Sequence, residues 1–193
     1  MQSAWQARRE KIHTRNIEVS IYEYDGQRII VEGVLRDDRY QPFYTVTGGT
    51  YPAGVLHHMS IRLLVNCSSL QIEDVETDLM SVPRETCRET AGCLAPIRGL
   101  SVTRGFTSKV KSLAGGNRGC THLVELLLAM APAVFQGVAA YQTRNHEALD
   151  QEYAKRIVRY LVNTCHAWRE DGPFVTSLRK KFPGKPTKPQ GEA

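Results

Sequence analysis

The sequence predicts an α+β fold, an antiparallel sheet from the N-terminal half packed on one face by helices from the C-terminal half. Three observations lead there. Apolar residues alternate with polar ones through the first half, and they recur at helical spacing in the second. A long apolar run from Leu123 to Ala140 then supplies a central helix able to cover the sheet.

The elements follow in chain order. Ile17, Val19 and Ile21 alternate with Glu18 and Ser20, and the β-branched run Ile29, Ile30 and Val31 follows across Asp25-Gly26, a turn pair that favours a hairpin. A Gly/Pro-rich stretch, Gln41 to Gly54, leads into a strand over Val55 to Val65. There Val55, His57, Met59, Ile61, Leu63 and Val65 share one face, and His58, Ser60, Arg62 and Asn66 the other. His57 therefore points with the core side. After a turn at Asn66 to Ser69, Leu70 to Thr77 returns as a further strand. Ser81-Val82-Pro83-Arg84-Glu85 opens a short helix that carries Cys87 and ends near Gly92. Phe106, Val110 and Leu113 mark the next helix, and Gly115 to Gly119 breaks the chain before the apolar one. Pro132 is expected to kink or interrupt that helix, because it removes a backbone donor. The last helix is predicted from His146 to Trp168, with Leu149, Tyr153, Ile157, Leu161, Cys165 and Trp168 on one stripe and Cys165 facing the core. These elements divide the chain into an N-terminal arm (1–14), a single α+β domain (15–178) and a disordered basic tail (179–193).

The chain has 193 residues and a formal net charge of +5. That balance invites nucleic acid as a partner until the charges are located. From Arg179 onward there are five Lys or Arg and one Glu, so four of the five net charges sit in the tail. A nearly neutral domain remains, and nucleic acid is not the expected partner. The basic start, Met1 to Arg15, has no apolar stretch after it, which excludes a secretory signal from these residues. Five cysteines, an odd number, fit free thiols in a reducing compartment, and the protein reads as cytoplasmic. Glu125 near the start of the apolar run favours a buried central helix over a membrane span.

Thiol and imidazole groups carry the chemistry. Gly119-Cys120-Thr121-His122 stands at the mouth of the central helix, where unpaired backbone donors and the helix dipole stabilise a thiolate. Thr121 is the expected N-cap. Cys120 is consequently a candidate metal ligand or nucleophile, with His122, His57, Cys87, and Cys165 or His166 as partners from other segments. No pair has the close spacing of a zinc motif, so a metal site depends on the fold bringing these segments together. Cys120 with His57 or His122 can equally form a thiolate–imidazole pair, with Glu125 orienting the histidine. The Gly-rich loop ending in Arg118 and Gly119 can instead cradle an anion, Arg118 acting as the clamp. Cys67 and Cys93 read as small buried hydrophobes. His13 and His146 read as solvated.

Several of these residues also form a pattern. Ile30-Val31-Glu32-Gly33 with Leu35 and Asp37, His57-His58-Met59 before Ile61-Arg62-Leu63, Cys87, and Gly99-Leu100 are its first part. Gly119-Cys120-Thr121-His122-Leu123 with Glu125-Leu126, Phe135-Gln136, and Cys165-His166-Ala167-Trp168 ahead of Asp171-Gly172-Pro173 complete it. In this the chain resembles a bacterial family known as a domain of unknown function, family 2889, from about Thr14 to Pro183. The resemblance implies a bacterial, cytosolic, single-domain protein whose characteristic polar residues match His57, Cys87, Cys120, His122 and Cys165. The family pattern has Asp after its first histidine, where this chain has His58. The leading expectation is a Cys/His site holding zinc or iron, with Cys120 and His122 first among the ligands. A thiol-dependent enzyme on a small acyl or carbonyl substrate, or an anion-binding or scaffold module, are the alternatives. A small-molecule ligand and self-association into a homo-oligomer are both compatible with each.

Overall fold

The structure, a computed structural model, describes residues 5–144 and 151–182. Two compact units divide the chain, 1–138 and 139–193.

The first unit is built on a four-stranded antiparallel sheet. Strands β1 (His13–Glu23) and β2 (Arg28–Arg39) form the expected hairpin. Its turn is held by Asp25, whose Oδ1 accepts from the backbone of Gln27 and Arg28 at 2.9 Å each. This side-chain turn is what Asp offers at such a position. The Gly/Pro-rich stretch contains a small hairpin of its own, β3 (Phe43–Tyr44) with β4 (Thr50–Tyr51). Strand β5 (Gly54–Asn66) returns along β2, and β6 (Ile72–Ser81) completes the sheet. β6 runs four residues beyond the expected strand because Ser81 still pairs with His58.

One face of the sheet is apolar and covered. Ile29, Val31 and Leu35 of β2 and Met59, Ile61, Leu63 and Val65 of β5 are buried, in the alternation that the pleat requires. Helix α2 (Thr121–Gln142) covers them with Leu123, Leu126, Leu127, Met130 and Val134, all fully buried. Each such side chain contributes about 1.5–3 kcal/mol by leaving water. The helix approaches closely at two glycines. A Cβ on Gly33 would lie 2.5 Å from Met130 Sδ, and one on Gly137 would lie 2.7 Å from Ile21 Cγ2. By length and composition α2 could cross a membrane; in the fold its buried side chains meet the sheet. The helix continues through Pro132, so of the expected kink or interruption the interruption does not occur. The shorter α1 (Phe106–Ala114) buries Phe106, Val110 and Ala114. The short helix expected at Cys87 is present as a 3-10 helix, Glu85–Thr90.

The second unit starts with the last residues of α2 and contains α3 (Gln151–Leu161) and α4 (Pro173–Lys181). The single helix expected from His146 to Trp168 ends instead at Leu161; residues 145–150 lie outside the described residues. Asn163 adopts a left-handed φ of 64°, its N–H donates to the Trp168 carbonyl at 2.8 Å, and its side chain accepts from the Glu170 N–H. This local ring of bonds stops the helix before Cys165 can join its stripe. Cys165 is therefore exposed, not core-facing. Trp168 packs edge-on against Phe174 at 4.8 Å. Arg179, Lys180 and Lys181, read as the start of the tail, form the last turn of α4, where cations complement the helix dipole. Residues 183–193 lie outside the described residues.

Candidate metal centre

Strand pairing alone creates the heart of the site. Arg15 on β1 lies opposite Asp37 on β2, and Asp37 lies opposite His57 on β5, a row across three strands. Asp37 continues the buried phase of Val31, Gly33 and Leu35, so a carboxylate enters the core side and must be paired there. It is only 1% exposed. Arg15 grips it with two bonds, Nε to Oδ1 and Nη2 to Oδ2, both 2.8 Å. His57 Nδ1 lies 2.8 Å from Oδ2, and His13 Nε2 3.6 Å from Oδ1. His13 is exposed, as read from the sequence, and its ring edge stands beside the buried carboxylate. A bulge in the β2–β5 ladder leaves Leu56 without a partner, and the successive side chains Leu56 and His57 both reach the same cavity.

The first turn of α2 closes the site from the other side. His122 stacks against His57 with ring centroids 3.9 Å apart and planes tilted by 35°. Cys120, not Thr121, is the residue flanking the helix start: its carbonyl accepts from Val124 N–H at 3.0 Å. Its Sγ lies 3.9 Å from His122 Nδ1. Gly119 packs on Cys93 so closely that a Cβ would lie 2.9 Å from that sulfur.

Charge states follow from the surroundings. Burial alone would raise the pKa of Asp37, yet Arg15 and then His57 hold it below the usual carboxylate range. Burial pushes His57 below its ordinary value although Asp37 pulls the other way. His122 is lowered too, first by burial and then by the His57 and Arg15 charges. An ionised carboxylate only accepts, so the proton between the pair sits on His57 Nδ1 and the lone pair is on Nε2.

Among the described residues, ligand atoms of Asp37, His57 and His122 fall within 4.8 Å of one another. Asp37 already takes donors on both oxygens, which suits it to orient a ligating histidine, not to ligate. A tetrahedral zinc with Zn–S of about 2.3 Å and Zn–N of about 2.05 Å would separate its sulfur and nitrogen ligands by about 3.6 Å. The Cys120–His122 separation of 3.9 Å is close to that value. Imidazole nitrogen and cysteine sulfur are donors that zinc and iron accept, but the Cys120 sulfur is not among the atoms that lie within 4.8 Å of one another.

A cavity of about 310 Å³ brings His57, Cys87, Cys120 and His122 together. Four of the five ligand candidates from the sequence therefore share one space. Cys165 belongs to the second unit. Glu125 does not orient a histidine; its carboxylate accepts from Arg15 Nη1 at 2.6 Å and is half exposed. Arg118 lies exposed in the 3-10 turn Gly116–Arg118, its Nη2 3.4 Å from the Lys111 carbonyl. His58, one position from His57, takes the opposite side of the strand from it. Asp37 and Arg15 are the residues of the candidate site that motif spacing missed.

A family model described as "Protein of unknown function (DUF2889)" matches residues 13–136, which include every residue of the site. No curated protein and no solved structure matches the chain.

Proposed function

The chain belongs to the DUF2889 family, and from that premise we propose that it is a zinc- or iron-binding protein. His57, His122 and Cys120 take the metal, and Cys87 is the candidate fourth ligand. The observation that carries this reading is the row Arg15–Asp37–His57, which ends against His122 beside Cys120. A buried, anchored carboxylate that fixes the tautomer of a histidine is the arrangement that supports metal-ligating imidazoles. With three protein ligands and an open position, such a centre polarises a bound water or carbonyl; with four it is structural.

Elemental analysis of protein purified anaerobically and without a His tag tests the reading. Stoichiometric zinc or iron is expected, lost in Cys120→Ser and in His122→Ala. Asp37→Asn, which leaves every ligand in place, is expected to weaken metal affinity about 10–100-fold. Metal-free protein from that preparation overturns the proposal.

The 3.9 Å contact between Cys120 and His122 favours one second reading, a thiol nucleophile on a small acyl or carbonyl substrate. It requires metal-free protein in which Cys120 is alkylated faster than an ordinary free cysteine at neutral pH.

A further inference from the structure

The cavity has a second end that the metal ligands do not use. There Arg39, Phe43 and Tyr51 form a layered stack: the Arg39 guanidinium carbon lies 3.7 Å from the Phe43 ring centroid, and Phe43 and Tyr51 are parallel within 9° at 4.9 Å. Tyr51 pins the stack by donating its hydroxyl to the Pro83 carbonyl at 3.0 Å. A guanidinium held over the face of a ring can still offer its N–H groups to a planar acceptor. Arg39 Nε is buried and, among the described residues, has no hydrogen-bond partner. A buried donor atom left without an acceptor is costly, and the rest of the Arg39 side chain is only half-buried.

The surroundings define the missing acceptor. The fourteen residues lining the cavity include two cations, Arg39 and the exposed Arg84, and no carboxylate. Their field selects an anion. The rest of the wall is mostly apolar or aromatic, with Leu56, Met59, Leu79 and Val82 among its residues. Such a wall suits a ligand with an apolar body and disfavours a hydrated inorganic anion. A volume of about 310 Å³ limits that ligand to a small molecule.

We propose that the cavity binds a small aromatic carboxylate, its carboxylate held by Arg39 and its ring laid along the Phe43–Tyr51 wall toward the His57–Cys120 end. This deepens the metal reading by naming the ligand class of the same site, and it rests on that reading only for the metal at the far end.

Calorimetric titration of the full chain with benzoate, benzamide and inorganic phosphate tests it, in metal-containing and EDTA-treated protein. Benzoate is expected to bind both forms, with benzamide and phosphate at least about tenfold weaker, the difference expected for loss of a charge-assisted contact. Arg39→Met is expected to weaken benzoate by at least about tenfold while leaving metal content unchanged. Arg39→Lys, which keeps the charge but not the planar fork, should lose most of the same affinity, and a melting temperature unchanged in both variants guards against a folding defect. No benzoate binding, equal binding of benzamide, tighter binding of phosphate, or indifference to both Arg39 variants overturns the proposal. Benzoate binding that vanishes with EDTA and survives Arg39→Met places the carboxylate on the metal and also overturns it. Arg39-dependent binding in protein that never contains metal supports the carboxylate site and removes the metal reading. Stoichiometric metal without benzoate binding does the reverse.

Discussion

Asp37→Ala is expected to lower stability by about 3 kcal/mol at pH 7.5, read from the urea midpoint of EDTA-treated protein. Breaking a buried ion pair costs about 3–5 kcal/mol because the partner is left uncompensated. Arg15 is 33% exposed and partly rehydrates, which favours the low end. His57 does not rehydrate; it loses the acceptor of its Nδ1 proton while remaining buried. Asp37→Asn keeps an acceptor for His57 and loses only the charge, so it is expected to cost less. A loss below about 1 kcal/mol in the alanine variant, the ordinary surface value, would show that the row is not a buried unit.

The same groups set the response to acid. Asp37, His57 and His122 all have folded-state values below their ordinary ones, so in each window the unfolded chain binds more protons and stability rises with pH. For the two histidines the contribution is complete above about pH 6.5 and is lost as pH falls below that value. For Asp37 it is complete above about pH 4 and is lost below. Metal-free wild type is therefore expected to melt at a lower temperature at pH 5 than at pH 7.5, and Asp37→Ala to show a smaller further fall below about pH 4 than wild type, the fall that remains coming from Asp25, Asp38, Asp74 and Glu170. A melting temperature that rises on acidification contradicts the assignment.

The second large effect concerns the seat of α2 on the sheet. Met130→Ala is expected to cost about 2–5 kcal/mol, since Met130 is fully buried and its removal opens a void. Gly33→Ala alone is expected to cost about 1–3 kcal/mol by overpacking, because its methyl would meet Met130 Sδ at 2.5 Å. Together they should cost less than the sum by at least about 0.5 kcal/mol, the added methyl occupying part of the void. Strict additivity in a double-mutant cycle would mean that helix and strand do not touch there.

Much of this was legible in the residues. Period-two alternation marked the strands around Ile17 to Ile21 and Val55 to Val65, and it turned His57 inward. The apolar run after Gly119-Cys120-Thr121-His122 marked the covering helix and its N-terminus. Cys87 needed only a short turn near its predicted place to reach the cavity. Asp37 carried a readable signal that spacing rules for metal motifs do not use: it lies in phase with Val31 and Leu35, where a carboxylate is out of character. Arg15 had no local signal, because its partners are 22 and 110 residues away. Arg39 stacks on a hairpin of two-residue strands, too short for any periodicity to reveal. At Cys165 the helical stripe continued on paper, and one left-handed asparagine ended it.

The bulge at Leu56 works as a frameshift in the sheet. On its far side the faces of β5 are dictated by the core, so His57 cannot be re-aimed without turning Met59 and Ile61 outward as well. On its near side that constraint is gone, and the stretch from Gln41 to Gly54, with the Phe43–Tyr51 wall, is free of the core's parity. One end of the cavity is thereby locked to the fold, while the other is open to exchange. The Phe43–Tyr51 wall can therefore be rebuilt by substitution without moving His57 from its place in the sheet.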